Sequence, residues 1–194
     1  MTRISLKLLC EKLWEGLAGE VLTIEKQGDY ELVIDFSCDD WSETSRVRKF
    51  KITCRQVAES TIFPAQSDEI FFETEHPLLW KYNLPHFELF YKSVPENVYE
   101  CLGLLWEAHE SKLGCLSGVS NYIDAQNFTK YNEAGLGLLA RGTEPQLKIY
   151  QKAILDQVET YLVPSYIPQG GYSLLSFDVG HVIAQSFEIE EIFS

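Results

Sequence analysis

The chain has 194 residues, of which 45% are hydrophobic, 23% charged and 13% aromatic, and its formal net charge is −13. That apolar content is enough to bury a core and too much for a disordered chain. So acidic a balance repels phosphate backbones and anionic lipid surfaces, and neither nucleic acid nor a membrane is an expected partner.

In the first segment, Leu6, Leu9, Cys10, Leu13, Trp14 and Leu17 recur at three- and four-residue spacing and share one face of a predicted helix. Lys7, Glu11, Lys12 and Glu15 interrupt its apolar run, which therefore does not read as a secretory signal. No stretch approaches the ~18 consecutive apolar residues of a membrane span, and the expected compartment is the cytoplasm. Five scattered cysteines (Cys10, Cys38, Cys54, Cys101 and Cys115) contain no C-x-x-C pair and read as reduced, buried thiols. Gly16 and Gly19 end the helix, and the strand-like stretches Glu20–Lys26 and Tyr30–Ser37 flank a Gln27-Gly28-Asp29 turn, predicting a hairpin.

After a polar loop at 38–45, Arg46–Arg55 sets Val47, Phe50 and Ile52 among Arg46, Arg48, Lys49 and Lys51, a strand with one wet, basic face. Glu69–Glu75 and Phe87–Lys92 are further strand candidates, separated by a loop, His76–His86, that holds Pro77 and Pro85. Beyond residue 92 the period changes. Ser93-Val94-Pro95-Glu96 has the form of a capping box, followed on one helical face by Val98, Leu102, Leu105, Trp106, His109 and Leu113, with Gly114 as the stop. Thr143-Glu144-Pro145 opens another helix, with Leu147, Tyr150, Ile154, Val158 and Leu162 as its stripe and Pro164 as its end. Tyr172–Phe177 and Val182–Ile189 read as terminal strands. The predicted class is α+β, a mostly antiparallel sheet with helices packed on one face. With neither repeat nor linker, 1–194 reads as a single domain: helix and sheet to about 92, a helical part over about 93–163, and terminal strands over about 172–189.

The segment Phe71–Tyr91 holds the candidate binding residues Glu75, His76, Trp80, Tyr82, His86 and Phe87. If its flanking strands pair, His76 approaches His86 with Glu75 and Glu88 alongside, and imidazole beside carboxylate can move a proton or bind a divalent metal. The two histidines lack any recognised ligand spacing, so no catalytic residue, metal or cofactor is expected. The blander reading is a loop that packs Leu78, Leu79 and Trp80 on the core; another is an aromatic surface built on Trp80, Tyr82 and Phe87. Gly135–Gly142 lacks the spacing and context of a phosphate loop, and its glycines read as allowing close approach or a tight turn between helices. No G-x-S-x-G elbow is present, and Cys101 and His109 lie about two helical turns (~12 Å) apart, too far for a catalytic pair. His109 reads as a core histidine, and His181, after Gly180, has no obvious partner.

His76-Pro77-Leu78-Leu79-Trp80, then Gly135–Pro145 and the tail Val182-Ile183-Ala184-Gln185-Ser186-Phe187, resemble in their order a group of uncharacterised bacterial proteins of unknown function. The resemblance covers roughly residues 70–188 and implies one compact unit in a bacterial, intracellular setting. It brings no activity, cofactor or site residue.

Residues 1–55 carry nine basic and ten acidic side chains, residues 56–194 seven and nineteen. An acidic, aromatic-rich chain without catalytic motifs reads first as a non-enzymatic protein-interaction module, in its specific form one that neutralises a basic partner such as a nuclease toxin. The alternatives are a small-molecule or metal-dependent enzyme using the Glu75/His76/His86/Glu88 region, and a homo-oligomeric structural protein with the Trp80 loop as its interface.

Overall fold

The structure is a computed structural model and describes residues 10, 18–40, 46–114 and 117–192. The predicted N-terminal helix, Cys10 excepted, lies outside the described residues, as do Cys115 and positions 41–45 of the polar loop. In chain order the strands are β1 (Gly19–Lys26), β2 (Glu31–Asp40), β3 (Arg46–Arg55), β4 (Glu59–Ser60), β5 (Gln66–Ser67), β6 (Ile70–Glu73) and β7 (His86–Tyr91). They continue with β8 (Gly137–Thr143), β9 (Thr160–Tyr166), β10 (Ser173–Phe177), β11 (Gly180–Ala184) and β12 (Ser186–Ile192). The main helices are α1 (Val98–Leu113), α2 (Ala125–Tyr131) and α3 (Glu144–Ala153), and Trp80–Asn83 forms a single helical turn. The class is α+β, with three antiparallel sheets. No described helix is long and apolar enough to cross a membrane. The chain divides into two compact units, residues 1–79 with 171–194, and residues 80–170.

The first unit holds a five-stranded sheet, β12-β3-β2-β1-β5, and a four-stranded sheet, β4-β11-β10-β6. The predicted hairpin is β1–β2, and β3 has the predicted bounds. Successive side chains of a strand point to opposite faces, so Phe50, Ile52 and Cys54 go inward together while Lys49, Lys51 and Arg55 face water. Val47 shares the outward parity and is 55% exposed, which corrects its place on the apolar face. Arg48 takes the inward parity instead. Its Nε and Nη2 donate to the Glu191 carboxylate at 2.8 and 3.0 Å, and its guanidinium lies 5.0 Å from the centroid of the Phe50 ring. Inward residues of both sheets share one core, in which Phe36 sits 5.6 Å from Phe177. The predicted strand 182–189 breaks at Gln185, and β11 and β12 on either side of it belong to different sheets.

Cys54 is fully buried here, and burial pushes its thiol up to about 12 from an ordinary 9.0. An unfolded chain ionises this thiol near 9 while the folded one stays neutral, so the native state loses stability as pH rises between those values. The stability margin of wild-type protein over Cys54→Ala is therefore expected to narrow above pH 9, by up to about 1.4 kcal/mol per pH unit. Urea unfolding at stepped pH measures it, and a margin independent of pH contradicts this account.

The second unit is built on the sheet β8-β7-β9, with one face covered by α1, α2 and α3 around Leu89, Tyr91, Leu105, Phe128, Leu139 and Leu147. The cap of α1 is Asn97, whose Oδ1 accepts from the backbone N–H groups of Tyr99 and Glu100 at 3.1 and 3.2 Å. The predicted Ser93 cap is used elsewhere, its hydroxyl accepting from Glu159 N at 2.9 Å. Cys101, Leu105, His109 and Leu113 form the buried seam at four-residue spacing. Trp106, one residue past Leu105 and so about 100° further round, is 57% exposed and not part of the stripe.

Two strands replace predicted turn and helix. Gly135–Gly142 contributes β8, and its Gly137 crosses Tyr91 so closely that a Cβ would come within 2.6 Å of the phenol oxygen. Helix α3 stops at Ala153, and Thr160–Tyr166 pairs with β7 as an edge strand that accommodates Pro164. Leu162 packs on the same core from a strand as it would have from a helix.

Candidate functional site

The predicted patch spans the boundary between the two units, which falls between Leu79 and Trp80. Strand β6 pairs with β10, and β7 lies between β8 and β9, so the strands flanking His76–His86 do not pair with each other. In the first unit Glu75 is exposed, and half-buried His76 uses Nδ1 to accept from Leu78 N at 3.2 Å. In the second unit Trp80 and Tyr82 are half-buried, and the Lys81 ammonium lies 4.8 Å from the Tyr82 ring centroid. His86 donates from Nε2 to the Lys81 carbonyl at 2.8 Å and its ring tilts against Tyr166 at 5.8 Å. Phe87 packs on the helical core, and Glu88 pairs with Arg141 at 2.9 Å. Each imidazole thus serves its own loop. Leu79 is buried and Leu78 and Trp80 are half-buried. Among the described residues, no group of three or more His, Cys, Asp or Glu is placed to hold a metal ion.

The other histidines are held more firmly. His109 is wholly buried, donating from Nε2 to the Ser117 carbonyl at 2.6 Å and accepting at Nδ1 from the Tyr150 hydroxyl at 2.7 Å. Burial raises the Tyr150 pKa well above the ordinary phenol value, with the Gln146 hydrogen bond acting in the opposite sense. His181 has the partners that its local sequence does not show. Its Nδ1 lies 3.1 Å from the Thr61 hydroxyl, which also accepts from His181 N, and its Nε2 lies 3.4 Å from Glu59 Oε1. These contacts tie the two-residue β4 to β11, and long-range pairing alone reveals them.

Sequence reading missed a cavity of about 380 Å³ at one end of the five-stranded sheet, in the first unit. Glu20, Asp39 and Asp68 line it beside Ser37, Cys38 and Gln66, and no described Lys or Arg does. Hydrogen bonds fix the loop that carries Asp68. The Asp178 Oδ2 accepts from the backbone of Asp68 and Glu69 at 2.8 and 3.2 Å, and buried Ser67 donates to the Glu69 carbonyl at 2.9 Å. Charge is divided unequally too. The first unit's segments carry nine basic and nineteen acidic side chains, a net of −10, and the second unit's seven and ten, a net of −3. Carboxylates gathered in a concavity on so negative a body favour an ammonium or guanidinium group. The β1–β2 alternation hints at Glu20 and Asp39, but their meeting with Asp68 depends on the pairing of β1 with β5. Compared with protein-family models, curated proteins and solved structures, the chain matches none.

Proposed function

We propose that this chain is a non-enzymatic protein-interaction module whose first unit receives a Lys- or Arg-bearing partner at the acid-lined cavity. The observation that carries the reading is that cavity, edged by Glu20, Asp39 and Asp68 on the unit with a net charge of −10. Complementary fields of this kind speed encounter and discriminate against acidic competitors. Free thiols at Cys54 and Cys101 suit a reducing compartment, in keeping with a cytoplasmic setting.

Affinity capture from native lysate at low and high salt tests the reading, with wild-type protein beside the triple variant Glu20→Gln, Asp39→Asn, Asp68→Asn. A basic protein retained at low salt, released at high salt and lost by the variant is the expected result. Salt-insensitive capture, or equal capture by the variant, overturns it.

A further inference from the structure

We infer that the outward face of α1 is a second recognition surface, shaped for a Lys- or Arg-rich segment of a partner protein; it shares with the proposed function only the sign of the partner's charge. Helical spacing builds the face. While Cys101, Leu105, His109 and Leu113 turn inward, Tyr99, Gly103, Trp106 and Glu110 recur on the opposite side, with Glu100 and Glu107 beside them. Tyr99 is 71% exposed and Trp106 57%. No Lys or Arg occurs between Lys92 and Lys112.

Gly103 is the unusual member. Glycine within a helix is intrinsically unfavourable, and here a Cβ would meet nothing within 4 Å, so no packing demand accounts for it. What its missing side chain does leave is a notch between an exposed tyrosine and an exposed tryptophan, flanked by three glutamates. A long cationic side chain suits such a notch, its methylenes and charge against the aromatics and its head within reach of carboxylate. The glutamates repel an acidic segment and are costly to dehydrate beneath an apolar one. A second copy of this chain, at −13, is repelled as well.

Fluorescence anisotropy at low salt tests the surface with a labelled peptide rich in Arg and Lys, against an equal-length peptide carrying Gln in their place. Wild-type protein is expected to bind the first only. Trp106→Ala should weaken binding about three- to five-fold, the effect of losing one exposed cation–aromatic contact. Gly103→Ala should weaken binding while raising the melting temperature by about 2–4 °C, a combination that a purely structural glycine does not give. If both variants bind as wild type does and the cavity variant does not, the α1 surface is overturned and the cavity reading stands. Loss in the α1 variants with an unaffected cavity variant upholds the α1 surface and removes the cavity's role. Failure of wild-type protein to bind the basic peptide overturns both.

Discussion

Replacing His109 by Ala is expected to lower the free energy of unfolding by about 3–5 kcal/mol. The ring is wholly buried, so its removal leaves a void lined by Tyr122 and Tyr150, whose rings now lie 5.7 and 6.1 Å from it. It also takes a hydrogen-bond partner from the Tyr150 hydroxyl, which keeps only Gln146, and from the part-buried Ser117 carbonyl. Tyr150→Phe removes the hydrogen bonds to His109 and Gln146 and opens almost no space, so about 1–3 kcal/mol is expected of it. Denaturant unfolding of the three proteins gives both differences. A loss below about 1 kcal/mol for His109→Ala would show that the site collapses or rehydrates, contrary to this account.

Gly180→Ala is expected to cost about 2–4 kcal/mol. Its φ is 120°, a region that side chains avoid, and a Cβ would sit 2.7 Å from the Thr61 carbonyl oxygen and 2.9 Å from Ile62 Cα. Those neighbours are backbone and cannot swing aside. Relief requires β4 to part from β11, and with it the contacts of His181 with Thr61 and Glu59. Gly171 is the control, with φ 81° and nothing within 4 Å of a Cβ, so Gly171→Ala should lose only the conformational part, about 1 kcal/mol. Equal losses in the two variants would remove the steric explanation.

Where local chemistry decides, the sequence was legible. The Gln27-Gly28-Asp29 turn announces the β1–β2 hairpin, alternation delimits β3, and four-residue spacing with Gly114 delimits α1. Where partners decide, it was not. Leu147, Tyr150, Ile154, Val158 and Leu162 satisfy a helical period, yet Thr160–Val163 is β-branched and aromatic, and β7 offers it an unpaired edge. Gly-Leu-Leu-Ala-Arg-Gly-Thr lacks β-branched residues before its last position, and its strand character comes from Tyr91, which needs a residue without a side chain opposite. The expected single sheet became three because β6 and β7, neighbours in sequence, each found other partners. For the same reason the patch around His76 and His86 did not assemble as a hairpin. The acid-lined cavity depends on residues 20, 39 and 68, which no spacing rule connects.

The strand order of the first unit also sets a timetable for a chain made from its N-terminus. Residues 80–170 emerge complete, able to close their own three-stranded sheet, while the first unit still awaits everything after 171. During that interval β4 and β6 have no common neighbour, since the β10–β11 hairpin must slot between them, and β3 lies open along the side that β12 will occupy. That waiting edge carries Arg48, Lys49, Lys51 and Arg55. A row of cations discourages stray strands from joining it. Glu188, Glu190 and Glu191 of β12, the last strand to arrive, bring three opposing charges, Glu191 pairing with Arg48 and Glu188 with Arg55, so most of the charge that guards the nascent edge is offset once synthesis reaches it.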